Sequence, residues 1–175
     1  MLVATTIQDV RDFAVTKHGS QVRKHDGRPY IAHLDGVAAI LAEYGYKTPE
    51  IIAAAFLHDT LEKSDTTIEE LIAAFGMPVA ELVYWLTDKE TGSRETVALQ
   101  AAWRLSRAPW NAKLIKLADI IDNGTAIGMH NPSFGPTFLD EKRLQLKKMA
   151  EVESSRILRL PLFQRAAIVT EAASL

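Results

Sequence analysis

The residues that most clearly suggest a chemical role are His58 and Asp59, which directly follow a continuous apolar run over residues 51–57. A helix that is apolar on every side is typical of a protein core. An imidazole and a carboxylate at the end of a core helix are costly to bury unless another group compensates for them. A bound metal ion would supply that compensation, so the pair predicts a metal site with further ligands elsewhere in the chain.

Two other residues have the same character. His33 begins another predicted helix, and Asp119 lies inside a second strongly apolar segment. Together with His58 and Asp59 they give a possible set of two imidazoles and two carboxylates, which suits Mn, Fe, Co, Ni or Zn better than Mg or Ca alone. Glu62 would lie one helical turn beyond His58. A carboxylate there could orient or deprotonate a water molecule that the ion makes nucleophilic near neutral pH.

His58 and Asp119 also have ordinary structural explanations. His58 could be favoured at a helix C-terminus by the macrodipole. Asp119 could pair with a buried lysine, and Lys116 on the same predicted helix could neutralise it or extend its ammonium into water. The residue types alone leave both interpretations open. The histidines that follow no apolar helix are predicted to be exposed to solvent: His18, His25 and His130.

The elements that must position these residues are predicted to be helices. Thr48 and Pro49 are typical of the start of the helix before His58, and Thr67 with Glu70 forms a capping box for the next one. No period-2 strand pattern of useful length occurs. The predicted helices cover about residues 6–19, 34–44, 49 to the loop at 64–65, 67–75, 78–86, 94–107, 111–123, 137–158 and 161 onward. The predicted fold class is all-α, with a single domain over residues 1–175.

Composition excludes several classes of function. The chain is 47% apolar and 24% charged with a formal net charge of −2, which gives no reason to expect a nucleic-acid partner. It contains no cysteine, so any metal must be held by histidines and carboxylates. The first residues do not form a signal peptide, and no apolar segment approaches the roughly 20 residues of a membrane span. We therefore predict a cytoplasmic protein without a membrane partner.

The ligand candidates follow the order H…HD…D of the HD-domain metal-dependent phosphohydrolases. More narrowly, the chain resembles the hydrolase domain of the RelA/SpoT enzymes and the small alarmone hydrolases. The resemblance covers about the first three quarters of the chain and implies an HD-type helical bundle. Its motifs are Arg23-Lys24, Gly27-x-Pro-Tyr-Ile-x-His33, Leu57-His-Asp-Thr-Leu-Glu62, Thr66-Thr67 before a helix ending Phe75-Gly76, and Lys116-Leu-Ala-Asp119 with Asn123.

The resemblance implies a role for each matching residue. The implied ligands of a divalent ion, normally manganese, are His33, His58, Asp59 and Asp119. Glu62 matches the first residue of a Glu-Asp pair that handles the attacking water. Arg23 and Lys24 match the basic pair that contacts the guanine nucleotide, and Asn123 matches a residue lining its pocket. The implied reaction removes the 3′-pyrophosphate from (p)ppGpp and yields GDP or GTP and pyrophosphate.

The chain departs from this pattern at four positions. Lys63 stands where the second carboxylate of the pair is expected, Leu34 replaces a proline, and Ile120 and Asp122 replace a basic residue and an aromatic residue or histidine. Metal binding tolerates these changes, but they leave the substrate open. The alternatives are hydrolysis of another nucleotide phosphate, or a weakly hydrolytic (p)ppGpp-binding regulator.

Three interpretations of Lys63 follow. It could be a surface charge favoured at a helix C-terminus, it could bind a substrate phosphate, or it could reduce hydrolysis by removing a carboxylate. Our hypothesis is the last, that Lys63 lowers alarmone hydrolysis. Arg23 and Lys24 could likewise form only a solvated loop. The pattern also leaves open a homodimer in which the final helices pair with a second subunit.

Overall fold

The described part of the chain is helical, because segments with apolar residues at helical spacing alternate with caps, prolines and glycines. The structure, a computed structural model, describes residues 6–130 and 135–172, and the side chain of His130 lies outside the described residues. Extended backbone pairs within these ranges in an isolated antiparallel bridge between Val22 and Pro29. The all-α prediction is confirmed.

The helices are α1 (Ile7–His18), α2 (Ile31–Glu43), α3 (Pro49–Leu57), α4 (Thr60–Lys63), α5 (Ile68–Phe75), α6 (Met77–Leu86), α7 (Arg94–Ser106), α8 (Trp110–His130), α9 (Gly135–Glu153), α10 (Ser155–Leu158) and α11 (Pro161–Ala172). Within the described ranges, none of them is long and apolar enough to cross a bilayer.

The helices form two compact units, Met1–Thr87 with α1 to α6 and Asp88–Leu175 with α7 to α11. In the first unit, α3 packs against α1, α2 and α6. In the second unit, α9 packs against α7, α8 and α11. The single domain predicted for residues 1–175 stays a prediction.

Helix α3 forms the centre of the first unit, as its apolar sequence predicts. Thr48 takes the N-cap position with extended backbone, and Pro49 opens the first turn. Its buried residues are Ile51, Ala53, Ala54, Ala55, Phe56 and Leu57. Full burial of one large apolar side chain contributes roughly 1.5–3 kcal/mol, so this face anchors the core. The helix ends at Leu57, and His58 and Asp59 therefore lie at the break between α3 and α4.

Helix α2 begins three residues earlier than the apolar pattern predicts. The amide of Ala32 donates to the carbonyl of Pro29 at 3.0 Å, and that of His33 donates to the carbonyl of Tyr30 at 2.9 Å. These bonds already form a helical turn. His33 consequently lies inside the first turn of the helix, and the helical backbone fixes the direction in which its side chain projects.

Two further helix boundaries, the end of α8 and the end of α9, differ from the predicted ones. Helix α8 continues past residue 123, since Gly124 does not break it. A Cβ atom at Gly124 would lie 2.5 Å from Cγ1 of Val169 in α11, so the glycine permits close packing of the two helices. Ser154 has a φ of +51°, which side-chain-bearing residues disfavour. It ends α9 at Glu153, where the sequence predicts one helix up to residue 158.

Candidate metal centre

His33 and His58 bring two imidazoles together inside the first unit. His33 projects from the first turn of α2 and His58 directly follows α3, and each residue is 2% exposed. Their Nε2 atoms are 3.3 Å apart. The rings meet edge to face with centroids 5.2 Å apart. Histidine nitrogens bind metals at roughly 2.0–2.1 Å, so two lone pairs at this separation can reach one ion.

The backbone of α3 fixes the tautomer of His58. Its Nδ1 atom lies 2.8 Å from the carbonyl oxygen of Ala55. A carbonyl only accepts, so Nδ1 carries the proton and donates it, which leaves a lone pair on Nε2. Carbonyls in the last turn of a helix lack intrahelical partners, and here one of them orients a candidate ligand.

Asp59 adds a carboxylate to the imidazole pair. Its Oδ2 atom is 3.3 Å from Nε2 of His58 and 3.7 Å from Nε2 of His33. Two nitrogens and one oxygen thus converge at a mostly buried point, and this donor set fits a divalent first-row transition metal. The structure places the three side chains together, and their role as ligands stays a prediction.

Tyr30 and Lys63 surround Asp59 on its other side. The Tyr30 hydroxyl donates a hydrogen bond to Oδ2 of Asp59. The Lys63 ammonium lies 2.9 Å from the same oxygen and 2.6 Å from the Tyr30 hydroxyl. Lys63 therefore contacts a candidate ligand directly, which adds a structural role to the three interpretations made from its sequence position. Glu62, its neighbour on α4, is exposed.

Two of the departures from the RelA/SpoT pattern are core positions. Leu34 on α2 and Ile120 on α8 are both fully buried at 0% exposure. At each position an apolar side chain adds to the core of its own unit. Asp122 is half-buried. These two departures have a packing explanation that does not require a change of chemistry.

His18 is buried, and the prediction of an exposed side chain is wrong. It is 3% exposed and stacks on the ring of Tyr30 with centroids 4.6 Å apart. Burial lowers the pKa of His18, so the ring tends to stay neutral. The signal was present in the sequence, since His18 continues the buried stripe of Val10 and Ala14 on α1 at a spacing of four. His25, also predicted to be exposed, is half-buried.

The loop that carries Arg23 and Lys24 is an ordered turn. The amide of Arg23 donates to the carbonyl of Arg28 at 2.8 Å, and that of Gly27 donates to the carbonyl of Arg23 at 3.0 Å. Arg23 is 4% exposed and its Nε atom lies 3.6 Å from Oδ2 of Asp26. The alternative of a solvated loop is therefore wrong for Arg23, whereas Lys24 is exposed.

Asp26 holds this turn together. Hydrogen bonds from Arg28, helped by the positive charge of Arg23, lower the pKa of the Asp26 carboxyl to about 2. The carboxylate accepts from the Arg28 guanidinium at 2.7 Å. A buried carboxylate with two cationic neighbours makes the turn rigid next to α2.

In the second unit, Asp119 lies on α8 and is 5% exposed. Lys116 places its ammonium 2.8 Å from one carboxylate oxygen. The Asn123 side-chain amide donates to the other oxygen at 2.6 Å. The ion pair with a buried lysine, an alternative from the sequence, is thus present, and Asn123 is brought to the same carboxylate. Burial, together with the positive charge of Lys116, lowers the pKa of nearby Lys142 to about 8, and the sequence patterns gave Lys142 no role in the site.

The described helices place a buried pair of histidines next to an aspartate, and these residues lie in the H…HD order from which the resemblance was stated. Residues 10–123 match the family model described as HD domain. The chain belongs to the HD-domain family, and the resemblance stated from its motifs is confirmed.

Named relatives support the same assignment. The chain is 43% identical over 114 residues to a guanosine-3′,5′-bis(diphosphate) 3′-pyrophosphohydrolase of Danio rerio, an alignment that covers 64% of this chain and 63% of that protein. It is 38% identical over 148 residues to a protein of the same name from Aquifex aeolicus, covering 83% of this chain and 20% of that protein. The chain thus spans less than two thirds of the length of these relatives.

A solved structure has the same fold. It is that of a metazoan orthologue of SpoT described as hydrolysing ppGpp, with a TM-score of 0.82 and 22% sequence identity over 98% of this chain and 97% of that one. At this identity the likeness concerns the fold, and it confirms the helical HD architecture.

Proposed function

We propose that this chain is a phosphohydrolase that removes the 3′-pyrophosphate from (p)ppGpp. In this proposal the ion is manganese, and its ligands are His33, His58, Asp59 and Asp119. The observation that carries the proposal is the buried cluster of His33, His58 and Asp59, in which the Nε2 atoms of the two histidines are 3.3 Å apart. The relatives of the chain at 38–43% identity, which are guanosine-3′,5′-bis(diphosphate) 3′-pyrophosphohydrolases, support it.

The chain's own residues divide the remaining work. When bound, the ion polarises the phosphate and makes water nucleophilic near neutral pH. Glu62 orients that water and accepts its proton. Arg23 and Lys24 contact the nucleotide as a planar fork and a point charge, and Asn123 lines the pocket. Water adds to the phosphorus that carries the ribose 3′ oxygen, the bond between that phosphorus and the 3′ oxygen breaks, and the 3′ oxygen takes up a proton, which releases GDP or GTP and pyrophosphate.

A nucleotide panel tests the proposal. The purified protein is incubated with MnCl2 and ppGpp, pppGpp, GTP or ATP, and pyrophosphate and orthophosphate are measured separately. We expect pyrophosphate from ppGpp and pppGpp, with loss of turnover in Glu62→Ala and normal turnover in the control Glu69→Ala, an exposed glutamate on α5. Release of orthophosphate, or turnover of another nucleotide, would support the enzymatic alternative instead.

A second candidate function is that of a (p)ppGpp-binding regulator with weak hydrolysis. Lys63 favours it, because a cation lies 2.9 Å from Asp59 where the RelA/SpoT pattern has a second acid. Tight ppGpp binding by calorimetry without turnover would favour this function. Turnover by the wild type that is lost in Glu62→Ala would exclude it.

The proposal also includes a cytoplasmic location, a homodimer, and no nucleic-acid or membrane partner. The net charge of −2 supports the absence of a nucleic-acid partner. Sedimentation equilibrium tests the dimer, and cell fractionation tests the location.

A further inference from the structure

Asp59 is held by contacts that the proposed reaction does not use. The Tyr30 hydroxyl donates to Oδ2 of Asp59 and accepts a hydrogen bond from the Lys63 ammonium at 2.6 Å. A hydroxyl that donates to one group and accepts from another has a fixed orientation. The Asp59 carboxylate is therefore held by the Tyr30 hydroxyl, which Lys63 in turn holds in place.

The ring of Tyr30 is enclosed on several sides. The imidazole of His18 stacks on it at 4.6 Å with an interplanar angle of 28°. The ring of His33 meets it edge-on at 5.6 Å, and the Lys63 ammonium lies 5.1 Å from its centroid. Aromatic and cation–π contacts of this kind restrict a tyrosine to one rotamer.

His18 is tied to the same set of residues by hydrogen bonds. Its Nδ1 atom lies 3.1 Å from the side-chain oxygen of Gln21, which can only accept, so Nδ1 is the protonated nitrogen. The Gln21 amide in turn donates to the carbonyl of Lys63 at 2.7 Å. The contacts thus form a closed ring of four residues, His18, Gln21, Lys63 and Tyr30. In the described residues, the buried Nε2 atom of His18 makes no hydrogen bond. The ring joins α1, the following loop, α2 and α4.

Tyr30 also determines where His33 lies. It is the N-cap residue of α2, and its carbonyl accepts the His33 amide at 2.9 Å. One residue thus orients Asp59 through its side chain and His33 through its backbone. Substitutions of the side chain separate the two effects, because they leave the backbone bond in place.

We propose that Tyr30, held by His18 and Lys63, is a positioning residue that fixes the carboxylate of Asp59 and so sets the affinity of the site for a divalent ion. The inference rests on the proposed function, which assigns Asp59 as a ligand. Outer partners of metal ligands commonly change metal affinity by roughly 10–100-fold. Tyr30 has the position and the donor for such an effect.

Titration of the metal-free protein with MnCl2 tests this inference without any substrate. The dissociation constant is measured by calorimetry and by loss of the free Mn²⁺ paramagnetic resonance signal. Tyr30→Phe keeps the ring and removes the hydroxyl, and we expect Mn²⁺ binding roughly 10–100-fold weaker. The thermal midpoint in EDTA should change little. The control is Tyr46→Phe, a half-buried tyrosine outside the cluster, which should bind Mn²⁺ like the wild type.

The role of His18 is tested by a double-mutant cycle. His18→Phe preserves a flat face against Tyr30 and should retain most of the affinity, whereas His18→Ala removes the face and should weaken it. If His18 acts through Tyr30, its effect should largely vanish in the Tyr30→Phe background. Additive effects of the two substitutions would overturn this role for His18.

The results separate failure of the inference from failure of the proposed function. A wild-type protein that binds no Mn²⁺ would overturn both. A wild type that binds Mn²⁺, with Tyr30→Phe binding equally well, would overturn the positioning role alone. Circular dichroism of each variant establishes that it is folded before it is titrated.

Discussion

Lys63 is the residue at which the chain departs most clearly from the acid pair of the RelA/SpoT hydrolases. It stands four residues after Asp59, and its ammonium lies 2.9 Å from that carboxylate. A cation there partly neutralises a proposed ligand and occupies the place of an acid that handles water. A lysine at position 63 therefore affects both Asp59 as a proposed metal ligand and the transfer of a proton from the attacking water.

We expect Lys63→Asp to raise the turnover of ppGpp. A positioned acid or base contributes roughly 10²–10⁴-fold to a rate, so a gain of roughly tenfold is a modest expectation. The measurement is kcat/KM with MnCl2, and the control is Lys47→Asp, an exposed lysine before α3. No gain in a variant that still binds Mn²⁺ would count against the hypothesis that Lys63 lowers hydrolysis.

Asp26 provides a prediction about pH. Its folded pKa of about 2 lies below the ordinary 3.8, so its contribution to stability is present above about pH 4 and is lost as the pH falls towards 2. We expect Asp26→Asn to lower the free energy of unfolding by about 1–2 kcal/mol at pH 7 and by little at pH 2. Urea unfolding at several pH values measures this difference. A pH-independent effect of Asp26→Asn would contradict the explanation.

Single residues could be predicted where a local pattern exposes them. His58 and Asp59 are visible because a polar pair follows an apolar run. The burial of His18 follows from its place on the buried stripe of α1, but its stacking on Tyr30, twelve positions further along, is a contact that no local pattern reveals. The contact of Lys63 with Tyr30 likewise depends on the break between α3 and α4, which a continuous helix pattern hides.

At the scale of helices, starts marked by a short polar N-cap were easier to predict than ends, whereas α2, with Tyr30 at its N-cap, begins earlier than predicted. Thr6, Thr48, Thr67 and Ser93 all occupy N-cap positions, because short polar side chains mark them in the sequence. Ends depend on packing and on single backbone angles. Gly124 was expected to break α8, yet it lies within the helix, where its lack of a side chain lets Val169 of α11 approach.

Gly124 provides a prediction for the second unit. A methyl group there would lie 2.5 Å from Cγ1 of Val169, and overpacking of this kind costs about 1–3 kcal/mol, partly offset by the better helix propensity of alanine. We expect Gly124→Ala to lower the free energy of unfolding by about 1–2 kcal/mol. Thr125→Ala on the exposed side of α8 serves as the control. The added substitution Val169→Ala should relieve the clash, and a Gly124→Ala protein as stable as the wild type would show that α11 moves away freely.

At the scale of the molecule, the all-α class follows from the lack of period-2 segments, but the division at Thr87 does not. The family match over residues 10–123 runs across that division. Which helices form one compact unit depends on contacts between segments distant in sequence, and no local pattern encodes them.

Metal removal gives a prediction for the whole chain. A ligand that binds only the folded state at 100 times its dissociation constant adds about 2.7 kcal/mol to stability. We expect MnCl2 to raise the thermal midpoint and EDTA to reverse the increase. The increase should be lost in His58→Ala and in Asp119→Ala, since both residues are proposed ligands, and kept in Asp140→Ala, which changes an exposed carboxylate on α9. A full increase in Asp119→Ala would remove Asp119 from the proposed ligands.

The turn before α2 has a thermodynamic consequence. Val22 pairs with Pro29, and the amide of Tyr30 donates to the carbonyl of Gln21 at 2.9 Å, so Lys24 and His33 belong to one continuous, hydrogen-bonded segment. If Lys24 contacts the nucleotide and His33 the ion, a movement of this rigid segment that improves binding of one partner also changes binding of the other. Linkage then requires that the ion tighten nucleotide binding by the same factor as the nucleotide tightens binding of the ion.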